Sequence, residues 1–97
     1  MKRFNDTDEI QEFSLSKGSH WFDEEALEFF GSIIYPETYG SDGTLFISSE
    51  QDTYAEMPRL FSIRRVLENG GVKTVGEFQQ YRSFEEAESA LLESLEE

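Results

Sequence analysis

The chain has no cysteine among its 97 residues. That excludes disulfide staples, thiolate zinc sites and a cysteine nucleophile. Histidine occurs once, as His20, so a His-Glu-x-x-His metal helix cannot be written. No apolar run approaches the roughly 20 residues of a membrane span. The opening MKRFNDTDEIQEF lacks an apolar signal core, and a cytoplasmic location with no membrane contact is expected. Positive charge is also scarce. Eight Lys and Arg stand against 21 Asp and Glu, a net charge of −13. Binding to a phosphate backbone needs a basic face, so direct nucleic-acid binding is disfavoured.

What remains is enough for one domain. Nine Phe and 14% aromatic content support a packed core rather than a disordered chain. The acid excess has three readings. It keeps the chain soluble; it adapts the chain to a salt-rich cytoplasm; or it forms a surface that competes with nucleic acid for the basic groove of a protein partner.

The clearest structural statement is Arg59 to Tyr81, RLFSIRRVLENGGVKTVGEFQQY. Leu60–Leu67 and Val72–Phe78 alternate, and Asn69-Gly70 between them predicts a two-residue type I′ hairpin loop. The cross-strand pairs are then Leu67 with Val72, Arg65 with Thr74, Ile63 with Gly76 and Phe61 with Phe78. One face carries Phe61, Ile63, Leu67, Val72 and Phe78. The other carries Ser62, Arg64, Val66, Lys73, Val75 and Glu77, with Arg64 and Lys73 as a basic strip. Arg65 falls near the buried face, as an edge residue or a paired charge.

Around the hairpin the pattern predicts a helix over residues 23–30, capped by Asp23 with Phe22 and Leu27 as a hydrophobic staple. A strand at 32–35 stops at Pro36, and a second at 44–49 pairs with it across a turn-rich loop. Ser83 with Glu86 opens a last helix, 83–95, with Phe84, Ala87 and Leu91 at helical spacing. Residues 1–15 read as a loosely ordered acidic arm, and 16–97 as a single α+β domain. Its fold class is a four-stranded, mostly antiparallel sheet with two helices packed on one face.

The search for chemistry returns little. Ser19 and His20 are adjacent, and adjacent residues of an extended segment point to opposite sides, so they make no nucleophile–base pair. Asp23, Glu24, Glu25 and His20 fit neither a metal helix nor a calcium loop. Glu37, Asp42, Glu50 and Asp52 flank loops and would hold a hard cation only loosely. Gly70-Gly71 is a turn and not a phosphate cradle. The expectation is no enzyme, no metal and no cofactor. Five of the eight basic residues, Arg59, Arg64, Arg65, Lys73 and Arg82, lie in or beside the hairpin. The strip they form either protects a strand edge or meets a partner.

Six runs together carry a resemblance: Lys17-Gly18-Ser19-His20-Trp21-Phe22, Phe29-Phe30-x-Ser32, Tyr39-Gly40, Phe46-x-Ser48-Ser49-Glu50, Pro58-Arg59-x-Phe61-Ser62-Ile63-Arg64, and Thr74-Val75-Gly76-Glu77-Phe78-Gln79-x-Tyr81. Over residues 16–91 the chain resembles a family of small uncharacterised proteins encoded by viruses, prophages and plasmids of bacteria and archaea. The resemblance implies a mobile-element origin, with the host cytoplasm as the place of action, and brings no catalytic residues. With the charge, it leads to an expected function: a non-catalytic interaction protein whose sharper form inhibits a nucleic-acid-binding defence complex of the host. Glu24, Glu25, Glu28, Glu85, Glu88 and Glu93 would present the charge, Trp21 would anchor the contact, and Arg64 and Lys73 would form a second surface. The alternatives are a nucleic-acid-binding regulator using the basic hairpin strip, and salt adaptation with a structural role. Trp21, Tyr35, Tyr39 and Tyr54 are aromatic contacts compatible with a homodimer.

Overall fold

A computed structural model describes residues 3–19, 31–51 and 57–95. The expected helix over 23–30 lies outside them. The described elements, in chain order, are α1 (Thr7–Ser16), β1 (Ile33–Tyr39), β2 (Leu45–Glu50), β3 (Leu60–Val66), β4 (Val72–Val75) and α2 (Phe84–Leu95). The four strands form one antiparallel sheet in the order β1-β2-β3-β4. The α+β class and the antiparallel sheet agree with the sequence pattern.

The segment expected to be a loose arm is instead helix α1. Asp6 is its N-cap, in an extended conformation, with Oδ1 accepting the Glu9 N–H at 3.1 Å. Glu9 reaches back and accepts the Asn5 N–H at 2.9 Å. Helix α2 starts the same way. Ser83 Oγ accepts the Glu86 N–H, and Glu86 accepts the Arg82 N–H, both at 3.1 Å. In each pair the cap side chain satisfies one amide that the first turn leaves without a helical partner, and the glutamate holds the N–H of the residue before the cap.

Helix α1 and helix α2 pack on opposite faces of the sheet. Alternation along β2 and β3 shows this. Phe46 and Val66 join Phe4 and Ile10 under α1, with Phe13, Ile34 and Val72 at the margin. Leu45, Ile47 and Ile63 join Ala87 and Leu91 of α2. Successive strand residues point to opposite faces, so the two clusters lie on two sides. The expectation of two helices on one face paired α2 with the helix at 23–30, which lies outside the described residues.

The hairpin register is one residue away from the expected one. The pairs are Ile63↔Val75, Arg64↔Thr74, Arg65↔Lys73 and Val66↔Val72. The turn explains the shift. Gly70 N–H donates to Leu67 O at 2.9 Å and Leu67 N–H donates to Gly71 O at 2.7 Å, with Gly70 at φ 84°. The loop is therefore the three residues 68–70, closed by a glycine in the left-handed region. A Cβ on Gly70 would also stand 2.6 Å from Lys17 Cβ at the end of α1. The one-residue change carries all of β4 across the sheet. Val72 lies on the α1 face, and Val75 lies on the α2 face with Phe61 and Ile63. Strand β4 ends at Val75, so Phe61 pairs with Tyr81, and Phe78, expected in the core, is 54% exposed.

Strand β1 does not stop at Pro36. The register breaks between Ile34 and Thr38 and resumes, so the strand passes through the proline as a bulge. An edge position tolerates a residue without an N–H.

Candidate functional site

Three of the sequence runs that carry the resemblance meet on the α1 face. Ser48 stands opposite Ser62, Phe46 opposite Arg64, and Arg64 opposite Thr74. Ser48, Glu50, Ser62 and Arg64 are all buried. Polar residues that share one sheet face on β2 and β3 therefore build a polar patch inside the protein.

Arg64 organises it. Its Nη2 donates to Glu50 Oε1 at 2.9 Å, its Nε to Ser48 Oγ at 3.1 Å and its Nη1 to Thr74 Oγ1 at 2.6 Å. Ser48 Oγ also donates to Glu50 Oε1, at 2.9 Å. The loop after β4 closes the patch. The Phe78 ring lies over the guanidinium, 4.8 Å from Cζ to centroid, a cation–π arrangement. Gln79 N–H donates to Ser62 Oγ at 2.7 Å, and Gln79 Nε2 donates to Glu50 O at 3.1 Å. Gln79 holds φ 58°, the left-handed region, and is the one non-glycine residue among those described to do so. Glu50 Oε2 is buried with no hydrogen-bond partner among the described residues. The patch has hydroxyls and a carboxylate but no imidazole, and its carboxylate already serves Arg64. It holds strands and loop together; it offers no nucleophile with a free base.

This overturns the expected basic strip. Arg64 is 5% exposed and paired, while Lys73 is exposed and opposite Arg65, on the other side of the sheet. The expected surface of Arg64 with Lys73 does not exist, because the register differs by one. Arg65 points to the α2 face, 3.9 Å from Asp42 Oδ2.

The α2 face has its own polar rim. Tyr39 shares its one hydroxyl hydrogen between Glu88 Oε2 at 2.7 Å and Glu37 Oε2 at 3.0 Å. Burial first, and then these two carboxylates, hold the phenol above its ordinary pKa. Glu88 is thus a partly buried bond from α2 to β1 and not a freely presented charge. Glu85 and Glu93 are exposed. Trp21, Glu24, Glu25 and Glu28, with His20, lie outside the described residues. Tyr35, expected as an exposed contact, is half-buried against Phe61 and Phe84. A hollow of about 410 Å³ is lined by Met57, Pro58, Arg59, Leu60 and Arg82. Arg59 there donates to Ser49 Oγ at 2.9 Å. Among the described residues no group of three or more His, Cys, Asp or Glu could hold a metal ion. None of the described helices is long and apolar enough to cross a membrane.

Glu50, Ser48 and Ser62 were missed as a unit. Each fits a strand's polar side, which the alternating pattern assigns to solvent. The signal that was present is their spacing: Ser48-x-Glu50 and Ser62-x-Arg64 each put two polar residues on one strand face.

A family model matches residues 6–92, described as "Family of unknown function (DUF7447)". The chain belongs to this family. The match takes in α1, most of which lies outside the span of the earlier resemblance. No curated protein and no solved structure matches the chain.

Proposed function

We propose that this DUF7447 protein is a non-catalytic interaction protein that presents acidic helix surface to a basic groove on a protein partner. The observation that supports it is the distribution of paired charge. Among the described residues the ion pairs are Arg64–Glu50 and Arg65–Asp42. Both consume scarce cations inside or beside the sheet. Glu85 and Glu93 on α2, and Asp8 and Glu12 on α1, are exposed and enter none of these pairs. Neither helix has a basic residue in its last turn. Such a surface is a long-range attractor for a cationic groove. The resemblance to virus- and plasmid-encoded proteins gives the sharper form of the partner, a nucleic-acid-binding defence complex in the host cytoplasm.

The test is capture of partners from host cells by the full chain, identification by mass spectrometry, and titration of the purified partner against salt. Affinity should fall at least about tenfold between roughly 0.05 M and 0.5 M salt, because the screening length shrinks from roughly 14 Å to roughly 4 Å over that range. The double variant Glu85→Gln/Glu93→Gln should bind more slowly and depend less on salt. An affinity that is flat with salt sinks the proposal.

A further inference from the structure

The two edges of the sheet are built differently. On β1 the edge is closed three ways. Pro36 has no N–H to offer, the register breaks between Ile34 and Thr38, and Asp6 bridges to Glu37 from outside. These are common devices against strand addition. On β4 these three are absent, and what guards the edge is its four-residue length and Lys73. The run Val72–Val75 has no proline and no bulge.

The backbone pattern says which groups face outward. Leu67 donates to Gly71 O, and Phe61 and Tyr81 exchange both bonds. In an antiparallel pair, hydrogen-bonded and non-hydrogen-bonded positions alternate. Lys73 and Val75 thus bond inward to β3, and the N–H and C=O of Val72 and Thr74 point away from the sheet. Side-chain charge says what fits beside them. Arg65 and Lys73 stand directly opposite each other. Like charges at that spacing are destabilising. Asp42 answers Arg65 from 3.9 Å, and Lys73 has no ion pair among the described residues.

We propose that the β4 edge is a docking site for an extended segment of a partner protein that adds as a fifth strand, with Asp or Glu at the residue beside Lys73. The outward groups of Val72 and Thr74 supply the main-chain hydrogen bonds, and the Arg65–Lys73 pair selects the acidic residue. A second copy of this chain is a poor occupant. It brings another Lys73 to the same edge and a further net charge of −13. Lys73 therefore acts as a filter: it disfavours a basic edge and favours an acidic one over a neutral one. This site is separate from the acidic helix surface and would persist if that surface has no partner.

The test uses the ¹⁵N-labelled full chain and a peptide in which Val and Thr alternate around a central Glu, with a Lys-centred peptide as control. Amide shifts should concentrate at Val72–Val75, and the Val72 and Thr74 amides should exchange more slowly. The Lys peptide should bind about tenfold more weakly, roughly the value of one favourable charge contact in place of a repulsive one. Lys73→Glu, an exposed change, should invert that preference. N-methylating the peptide residues that face β4 should abolish binding, while methylating the alternate residues should not. The proposal is overturned if millimolar Glu peptide moves no β4 amide, if the two peptides bind equally, or if sedimentation shows the chain dimerising through this edge.

Discussion

Arg64 and Arg65 are consecutive residues of one strand, and they meet opposite fates. Arg64 turns to the α1 face and pairs with Glu50 at 2.9 Å, both side chains less than a tenth exposed. Arg65 turns to the α2 face and stands 3.9 Å from Asp42, both more than a third exposed. The difference lies in what each face is made of. On the α2 side the interior is Leu45, Ile47 and Ile63 under Ala87 and Leu91; Ser49 is a buried polar residue there, bonded to Tyr35 and Arg59, and the charged groups stay at the rim. On the α1 side the apolar cluster covers one end and polar residues fill the other. A buried pair recovers its desolvation cost only with good geometry and further hydrogen bonds. Arg64 has them, from Ser48 and Thr74. The comparison teaches that this pair fixes arrangement, aligning β2, β3, β4 and the 76–80 loop around one guanidinium, more than it adds stability.

The largest predicted effect tests that contrast. Arg64→Ala leaves the Glu50 carboxylate buried without its cation and should cost about 3–5 kcal/mol, read from the denaturant midpoint. Arg65→Ala breaks an exposed pair and should cost about 0–1 kcal/mol. Replacing both members, as Glu50→Leu/Arg64→Met, should recover most of the loss, since an apolar pair needs no compensation. The recovered protein should then show altered amide shifts around Phe78, whose ring has lost the guanidinium beneath it, while the Gln79 bonds to Ser62 Oγ and to the main-chain oxygen of residue 50 persist. Equal costs for Arg64→Ala and Arg65→Ala would erase the distinction between the faces.

The sequence makes the α2 side legible and the α1 side much less so. Phe61, Ile63, Ala87 and Leu91 announce themselves by period, and Ser83-Phe84-Glu85-Glu86 marks the helix start. Strand existence and antiparallel order are equally plain. The register was lost because Asn-Gly serves two turns. The two-residue form needs positive φ at Asn69, whereas here the left-handed residue is Gly70 alone. The choice depends on α1 packing at Lys17 and Ser14 against Gly70, a contact no local pattern contains. Helix α1 was missed although Asp6-x-x-Glu9 has the spacing of a capping pair and Ile10 and Phe13 share a face, because acidic polar residues outweighed them. Burial of Ser48, Glu50, Ser62 and Arg64 runs against binary patterning, and only pairing across three strands makes it affordable.

A middle-sized effect sharpens the comparison from the helices that cover each face. Asp6→Ala removes the α1 cap and Ser83→Ala the α2 cap, and each should cost about 1 kcal/mol. Their consequences should differ in place. Loss of the Asp6 cap should speed amide exchange in α1 and near Glu37, to which Asp6 bridges. Loss of the Ser83 cap should be confined to the first turn of α2. The same exchange pattern in both variants would mean that the two helices are not independent covers.

The smallest effect concerns the exposed pair and its pH dependence. Thr44 donates to Asp42 Oδ1 from its hydroxyl at 2.7 Å and from its N–H at 3.2 Å. The hydroxyl bond leads in holding the Asp42 carboxyl below its ordinary value of 3.8; burial opposes it, and the Thr44 amide and Arg65 assist. A carboxyl whose folded pKa is depressed contributes stability that is fully present above its unfolded value and is lost as pH falls through the folded one. The stability gap between the natural chain and Asp42→Asn should therefore be constant near neutrality and narrow only below about pH 4. Arg65→Ala should leave most of that narrowing in place, because Arg65 is a lesser cause, whereas Thr44→Val should remove most of it. If Arg65→Ala abolishes the pH dependence and Thr44→Val does not, the pair behaves as a true ion pair, and the contrast with Arg64–Glu50 is one of burial alone and not of chemistry.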